Sequence, residues 1–250
     1  MYLIEDFFLF LAPSSNMISE TSVVNNTNIG NSAKIYRNCN IRDSNTGNLV
    51  TIEDESIIIS SSFESNCTIN RRNFIQDSNI GRYTYTGHGT TIRGANVGRF
   101  CSISWNVSIG GKNHPLDHVS TGSSWSFYNM DGHRLPGKHE YGKGHPECKV
   151  GNDVWIATNA LILRGVEIGD GSAIVAGAVV THNVKPFTIM AGVPVRPLRK
   201  RYSKKVIAIM QYMRWWEWPP NVIRDNTDLA YESKADSAVL EKLLEIKNNL

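Results

Sequence analysis

Residues 150–185 read VGNDVW, IATNAL, ILRGVE, IGDGSA, IVAGAV and VTHNVK, six units that each open on a β-branched aliphatic residue. Val150, Ile156, Ile162, Ile168, Ile174 and Val180 keep this spacing without a slip, and a small or β-branched residue stands four positions later in every unit. A helix repeats near 3.6 residues and an ordinary strand at 2, so neither accounts for a sustained period of six. A short strand followed by a turn, wound round a triangular prism, does. The aliphatic residue then points into the prism, each coil closes on its neighbours, and Gly, Asn and Asp take the corners. This stretch is expected to wind as a β-helix.

The same period recurs upstream in weaker form. Val23, Ile29, Ile35 and Ile41 make one run, Ile69 and Ile75 a second, Ile80, Thr86 and Ile92 a third, and Val97, Ile103 and Ile109 a fourth. Breaks near Gly47 and between Ile92 and Val97 read as altered corners or bulges. The expected organisation is an apolar N-terminal segment at 1–19, a β-helix at 20–190 with one excursion at 110–149, and a linker with helices at 191–250.

The composition fits such a body. With 41% hydrophobic and 20% charged residues in a chain of 250, neither a disordered chain nor a membrane bundle is suggested. A net charge of +3 is too weak to point to nucleic acid, although Arg196, Arg199, Lys200, Arg201, Lys204 and Lys205 crowd together after the repeat. That cluster suits a phosphate-rich ligand or is a solvated face. The four cysteines, Cys39, Cys67, Cys101 and Cys148, form no CxxC pair, which suits reduced thiols in a cytoplasmic protein. MYLIEDFFLFLAP at the start carries Glu5 and Asp6, lacks a basic leader, and is shorter than the roughly 20 residues of a spanning helix. It reads as an element packed on the body, with no membrane span.

The period disappears between Gly110 and Lys149, a stretch rich in Gly, His, Pro and aromatics. So long a loop in a compact repeat is functional or disordered, and its aromatics favour an ordered excursion. Trp125, Phe127, Tyr128, His133 and Tyr141 either stack on an acceptor or pack the excursion against a neighbour. From Ser203, a plausible N-cap, the spacing of Val206, Ile207, Met210 and Met213 predicts a helix, which Pro219 and Pro220 should end. Trp215, Trp216 and Trp218 read as packing against the prism's end, and 238–246 as a terminal helix.

Among seven histidines, His114 in GGKNHPLDH stands where the regular coil ends, a place where a side chain clears the packed body. Imidazoles titrate near pH 6.5, so one there is suited to take a hydroxyl proton and return it; the alternative is a loop histidine with no role. His118 and Asp117 lie nearby, but the proline-containing loop does not enforce the spacing of a zinc site, so no metal is expected.

The run GNDVWIATNALILRGVEIGDGSAIVAGAVVTHNVKPFTIMAGVPVRPLRKRY closely resembles the signature of hexapeptide-repeat acyltransferases. NHPLDHVST after a regular coil, the long excursion, and MRWWEWPPNVI are similar to the branch holding xenobiotic acetyltransferases and capsule or O-antigen O-acetyltransferases. The resemblance covers roughly residues 69 to 225. It implies an all-β, left-handed parallel β-helix with a C-terminal helical segment, assembled as a homotrimer, with acetyl-CoA in a groove between adjacent prisms. His114 matches the family's catalytic general base, acting by direct transfer without a covalent intermediate. The oxyanion formed from the thioester needs a positioned donor, which the sequence does not name.

By the same resemblance Trp155 sits beside the thiol end of acetyl-CoA, the alternative being simple wall packing. Thr158, Ala176 and Thr181 match groove positions, and Arg196 and Arg199 match positions near the nucleotide, where guanidinium groups suit phosphates. Two departures stand out: Ala157 replaces the usual glycine of the corner, and His182 replaces a common lysine, so less fixed charge faces the ligand. The expected function is O-acetylation of a sugar hydroxyl in surface-polysaccharide biosynthesis. The rivals are a chloramphenicol or streptogramin acetyltransferase, an N-acetyltransferase acting on a nucleotide amino sugar, and a non-catalytic solenoid.

Overall fold

The computed structural model describes residues 15–111, 113, 114, 116, 119, 121, 147–229 and 233–250. MYLIEDFFLFLAP, Asp117, His118 and the excursion aromatics named above lie outside the described residues. Short strands stack into sheets of ten, eight and six strands, the three faces of a prism. The first face begins at Met17–Ile18 and ends at Arg196–Lys200; the second runs from Val23–Asn25 to Val179–Val180, and the third from Asn45–Thr46 to Glu167–Ile168. Successive strands visit first, second and third faces in turn, so each coil pairs with the coils before and after it. Apart from the last pairing, all are parallel, and the expected β-helix is the fold.

Register explains the uneven upstream repeat. Lys34 pairs with Thr51, Thr51 with Thr68 and Thr68 with Tyr85, a coil offset of 17 residues. Two sides of each such coil take a full hexapeptide and the third is one residue shorter. The short step always leads from the second face to the third: Ile41 to Thr46, Ile58 to Phe63, Ile75 to Ile80, Ile92 to Val97. Asp43, Ser60, Asp77 and Gly94, all with positive φ, turn this corner. The breaks near Gly47 and after Ile92 are therefore regular short corners. Because Val24 pairs with Ile41, Val24 packs inward, and Val23 faces out at 48% exposure. The excursion uses this same corner, leaving after Ser108–Gly110 and rejoining at Cys148–Val150, which pairs with Ala95–Val97.

The interior is a stack of isoleucines: Ile35, Ile52, Ile69, Ile103, Ile156 and Ile174 under the first face, and Ile41, Ile58, Ile75, Ile92, Ile109 and Ile162 under the second, all essentially inaccessible. Inward corner positions carry small polar residues that satisfy main-chain groups of the next coil. Ser44 Oγ accepts from Ser61 N at 3.1 Å, Ser61 Oγ from Ser78 N at 3.2 Å, and Ser78 Oγ from Ala95 N at 3.2 Å. The four cysteines are free and buried, and burial pushes the Cys67 and Cys101 thiols up to about 12. Such thiols are inert as nucleophiles. Where the third face turns to the first, backbones nearly touch: a Cβ on Gly98 would stand 2.6 Å from the Gly151 carbonyl oxygen, so only glycine fits.

Among the described residues three α-helices follow, α1 (Lys204–Met213), α2 (Pro220–Asp225) and α3 (Ser237–Asn248), with a 3-10 turn at Trp215–Glu217 between the first two. Ser203 caps α1, its hydroxyl accepting from Val206 N at 3.4 Å. The helix ends before the prolines, at Arg214 in a left-handed conformation (φ 43°). Pro220 instead opens α2, where its missing N–H costs nothing. The tryptophans pack along the prism's flank, because Tyr83, Phe100 and Phe187 line one corner there. Tyr83 stacks on Phe100 at 4.9 Å, Phe100 meets Trp215 at 4.7 Å, and Phe187 meets Tyr202 at 6.1 Å. Each of these three aromatics holds a positive φ, which costs a bulky residue about 1–2 kcal/mol; helix docking offsets it. Arg82 anchors the segment between α1 and α2 by donating to the Trp216 and Trp218 carbonyls at 3.1 and 2.6 Å.

Ser61→Ala should lower unfolding free energy by about 1–3 kcal/mol, because the Ser78 N–H loses its acceptor inside the prism. Urea denaturation checks this, with an unchanged midpoint counting against the serine ladder as a stabilising element.

Candidate active site

Stacking at the corners sets which side chains meet. On the first face the register runs Ser102, Trp155, Ala173, Ile189, Arg199, so the Trp155 indole, 51% exposed, is flanked by small residues. It lines a cavity of about 400 Å³ with Ser102, Ala173, Arg199, Arg201 and Tyr202. Arg201 is spoken for: it donates to Asp153 at 3.1 Å, to the Gly171 carbonyl at 2.8 Å and to the Tyr202 hydroxyl at 3.0 Å. Burial pushes the Asp153 carboxyl above its usual range despite the opposing pull of Arg201. Arg196 and Arg199 are exposed and each donates to a neighbouring main-chain carbonyl at 3.0 Å. Their guanidinium heads remain at the surface, where an anion can reach them.

The edge between first and second faces carries a second row. Main-chain bonds Asn106 N to His88 O, Asn159 N to Trp105 O and Gly177 N to Thr158 O, at 3.0, 3.0 and 2.9 Å, stack His88, Trp105, Thr158 and Ala176 in successive coils. Thr158 Oγ1 also donates to the Trp105 carbonyl at 3.0 Å. Ala176 and Gly177 are exposed, and nothing lies within 4 Å of a Cβ placed on Gly177, so this part of the edge is open. Thr181 and His182 follow on the second face and its far corner, their side chains 3.2 Å apart and exposed. Ala157, in place of the expected glycine, fits without displacing the strand, its N–H bonded to Ile174 O at 2.9 Å.

His114 stands at the opposite margin of the second face, just after the short corner. Its ring is exposed and Nδ1 lies 2.7 Å from the Thr121 carbonyl oxygen. A carbonyl only accepts, so this contact assigns the ring proton to Nδ1 and the basic lone pair to Nε2. A single chain thus brings Trp155, Thr158, Ala176 and Arg199 to one side, and keeps His114 a prism side away, at most about 20 Å of extended chain. Sequence reasoning missed Arg164, one coil beyond the excursion at the same corner. Its Nη1 donates to the Gly111 carbonyl, three residues before His114, and its guanidinium lies over Gly94. Its signal was an arginine at the third position of its unit, where the other five carry Asn152, Thr158, Asp170, Ala176 and His182. Among the described residues no His, Cys, Asp and Glu cluster could hold a metal ion.

Residues 147–182 match the family model described as bacterial transferase hexapeptide (six repeats). A probable macrolide acetyltransferase of Lysinibacillus sphaericus is 33% identical over 59% of this chain and 81% of its own. A chloramphenicol acetyltransferase of Morganella morganii is 34% identical over 51% of this chain and 61% of its own; this chain thus spans about three fifths of that relative's length. Among solved structures, the polySia-specific acetyltransferase NeuO is 18% identical, with a TM-score of 0.43 over 77% of this chain and 86% of its own. The chain belongs to the hexapeptide-repeat acetyltransferases.

Replacing Arg164 by alanine should release the start of the excursion. Steady-state kinetics are expected to show a 10- to 100-fold fall in kcat, the scale of slight misplacement of a reacting group, with the KM for acetyl-CoA unchanged. An unaltered kcat would remove Arg164 from any part in positioning His114.

Proposed function

We propose that this protein is an acetyl-CoA-dependent O-acetyltransferase that modifies a sugar hydroxyl in surface-polysaccharide biosynthesis, working in the cytoplasm as a homotrimer. The observation that carries the chemistry is the contact of His114 Nδ1 with the Thr121 carbonyl, which leaves Nε2 as the base. Nε2 takes the acceptor's hydroxyl proton as that oxygen attacks the thioester carbonyl; the imidazolium then returns the proton to the departing thiolate, and no acyl-enzyme forms. The division of the site supports the trimeric reading. Three prisms in parallel about one axis set the His114 margin of one chain against the Trp155 and Thr158 edge of the next. Acetyl-CoA then lies along that edge, its thiol end by Trp155, its pantetheine over Thr158 and Ala176, and its phosphates toward Arg196 and Arg199; Thr181 and His182, at the far corner of the second face, stand off this path.

A second reading has support of its own, since the curated relatives above are named for macrolide and chloramphenicol acetylation. An acceptor screen with purified protein and acetyl-CoA separates the two: turnover of chloramphenicol, a macrolide or a streptogramin, and of no sugar, would overturn the glycan assignment. His114→Ala is expected to slow transfer by at least ~10², the usual contribution of a general base, while CoA binding by calorimetry persists. Unchanged turnover would sink the base role.

A further inference from the structure

The edge that carries Thr158 and Ala176 continues one coil further toward the N-terminus, and there its character changes. Trp105 is 55% exposed on this edge, and its indole stacks on the His88 imidazole at 5.4 Å with the planes 21° apart. Single exposed apolar residues are ordinary and call for no explanation. This one is seated. A Cβ on Gly87 would stand 2.3 Å from Trp105 Cδ1, and one on Gly89 2.5 Å from Asn106 Oδ1. Gly87 therefore clears the space into which the indole folds back, Gly89 that of the Asn106 amide, and the imidazole between the glycines supports the indole. Tyr85, 49% exposed, stands on the adjoining first face in the coil of His88. By contrast Trp216 and Trp218 are buried under the helices.

We propose that Trp105, resting on His88, is the platform on which the acceptor lies, and that the acceptor is a pyranose ring. The proposal rests on the trimeric, His114-based reading above. Trp105 and His114 belong to the same coil, which enters at Ser102–Ile103 and leaves after Ser108–Gly110. In parallel prisms equal coils stand at equal height, so the platform of one chain faces the base of its neighbour. The coil that follows carries Thr158 and Trp155, about 4.8 Å along the axis, where the thioester is placed. An acceptor on the platform is then beside both the base and the acetyl group. A sugar ring offers an apolar C–H face to the indole and hydroxyls at its rim, and Asn106, His88 and Tyr85 supply polar groups around the indole.

The test measures binding apart from chemistry. Saturation-transfer NMR on the full chain uses methyl glycosides of glucose, galactose, N-acetylglucosamine and sialic acid, with chloramphenicol as a comparison. At least one glycoside should receive saturation from the wild-type protein, and Trp105→Ala should weaken its binding about tenfold. Trp105→Phe and His88→Ala should give intermediate losses. Glycoside binding that survives Trp105→Ala, or no glycoside binding at all, overturns the platform. Trp105-dependent binding of chloramphenicol alone overturns the pyranose assignment. If Trp105→Ala and Trp105→Phe both change the sedimentation coefficient, the indole is a subunit contact and the proposal falls. Failure of the base reading shows separately, as unchanged turnover in His114→Ala.

Discussion

Each coil is held to the next by parallel main-chain hydrogen bonds such as Tyr85 N to Cys101 O at 3.1 Å and Ser102 N to Val154 O at 2.9 Å. Pairing of this kind fixes a side chain's position to that of its counterpart one coil away, because a slip of one residue would turn the whole row from core to solvent. The core, the polar ladders and the candidate site all inherit that register. Ser44, Ser61 and Ser78 align because their coils do, and so do Asn79, Asn96 and Glu147 on the third face, joined by hydrogen bonds from the Asn79 and Asn96 side-chain amides at 2.6 Å. The same force aligns His88, Trp105, Thr158 and Ala176.

Within this constraint the corners are where the molecule varies. The second-to-third corner is one residue short in the N-terminal coils, carries the excursion in the middle, and holds Arg164 in the coil after it. The outermost residues of this corner face solvent while its serines point inward, so length changes at the tip leave the stacked strands undisturbed. The third-to-first corner is specialised differently. It takes bulky aromatics in a left-handed conformation and the helices dock on them. The Glu64 carboxylate, held below its usual range chiefly by hydrogen bonds from Arg99, braces the same side across two coils at 2.7 Å. Helices and excursion thus grow from different corners, leaving the first-to-second edge open for ligands.

The division of the site follows from the same geometry. A prism side separates any two corners, so no single coil can carry both a base on one corner and a ligand groove on another within reaction distance. In the proposed trimer a second prism closes that gap. Among the described residues the cavity at Trp155 holds no histidine, and His114 meets Thr121 of its own excursion instead.

From residues 150–185 the winding, the inward row and the family were legible, because a prism interior admits one aliphatic residue per side and the sequence must show it. His114 was legible as the residue at the end of the repeat. The short corners were not, since a five-residue step looks like a broken pattern until the pairing of Lys34 with Thr51 shows it to be regular. Trp105 and His88 were equally hidden: 17 residues apart in sequence, they become a stack only when parallel coils place one upon the other. The contact of His114 with Thr121, that of Arg164 with the Gly111 carbonyl and the commitment of Arg201 to Asp153 also belong to the tertiary structure, because each depends on a partner the repeat does not encode. Periodicity determined the scaffold; contacts between coils decided what the scaffold presents.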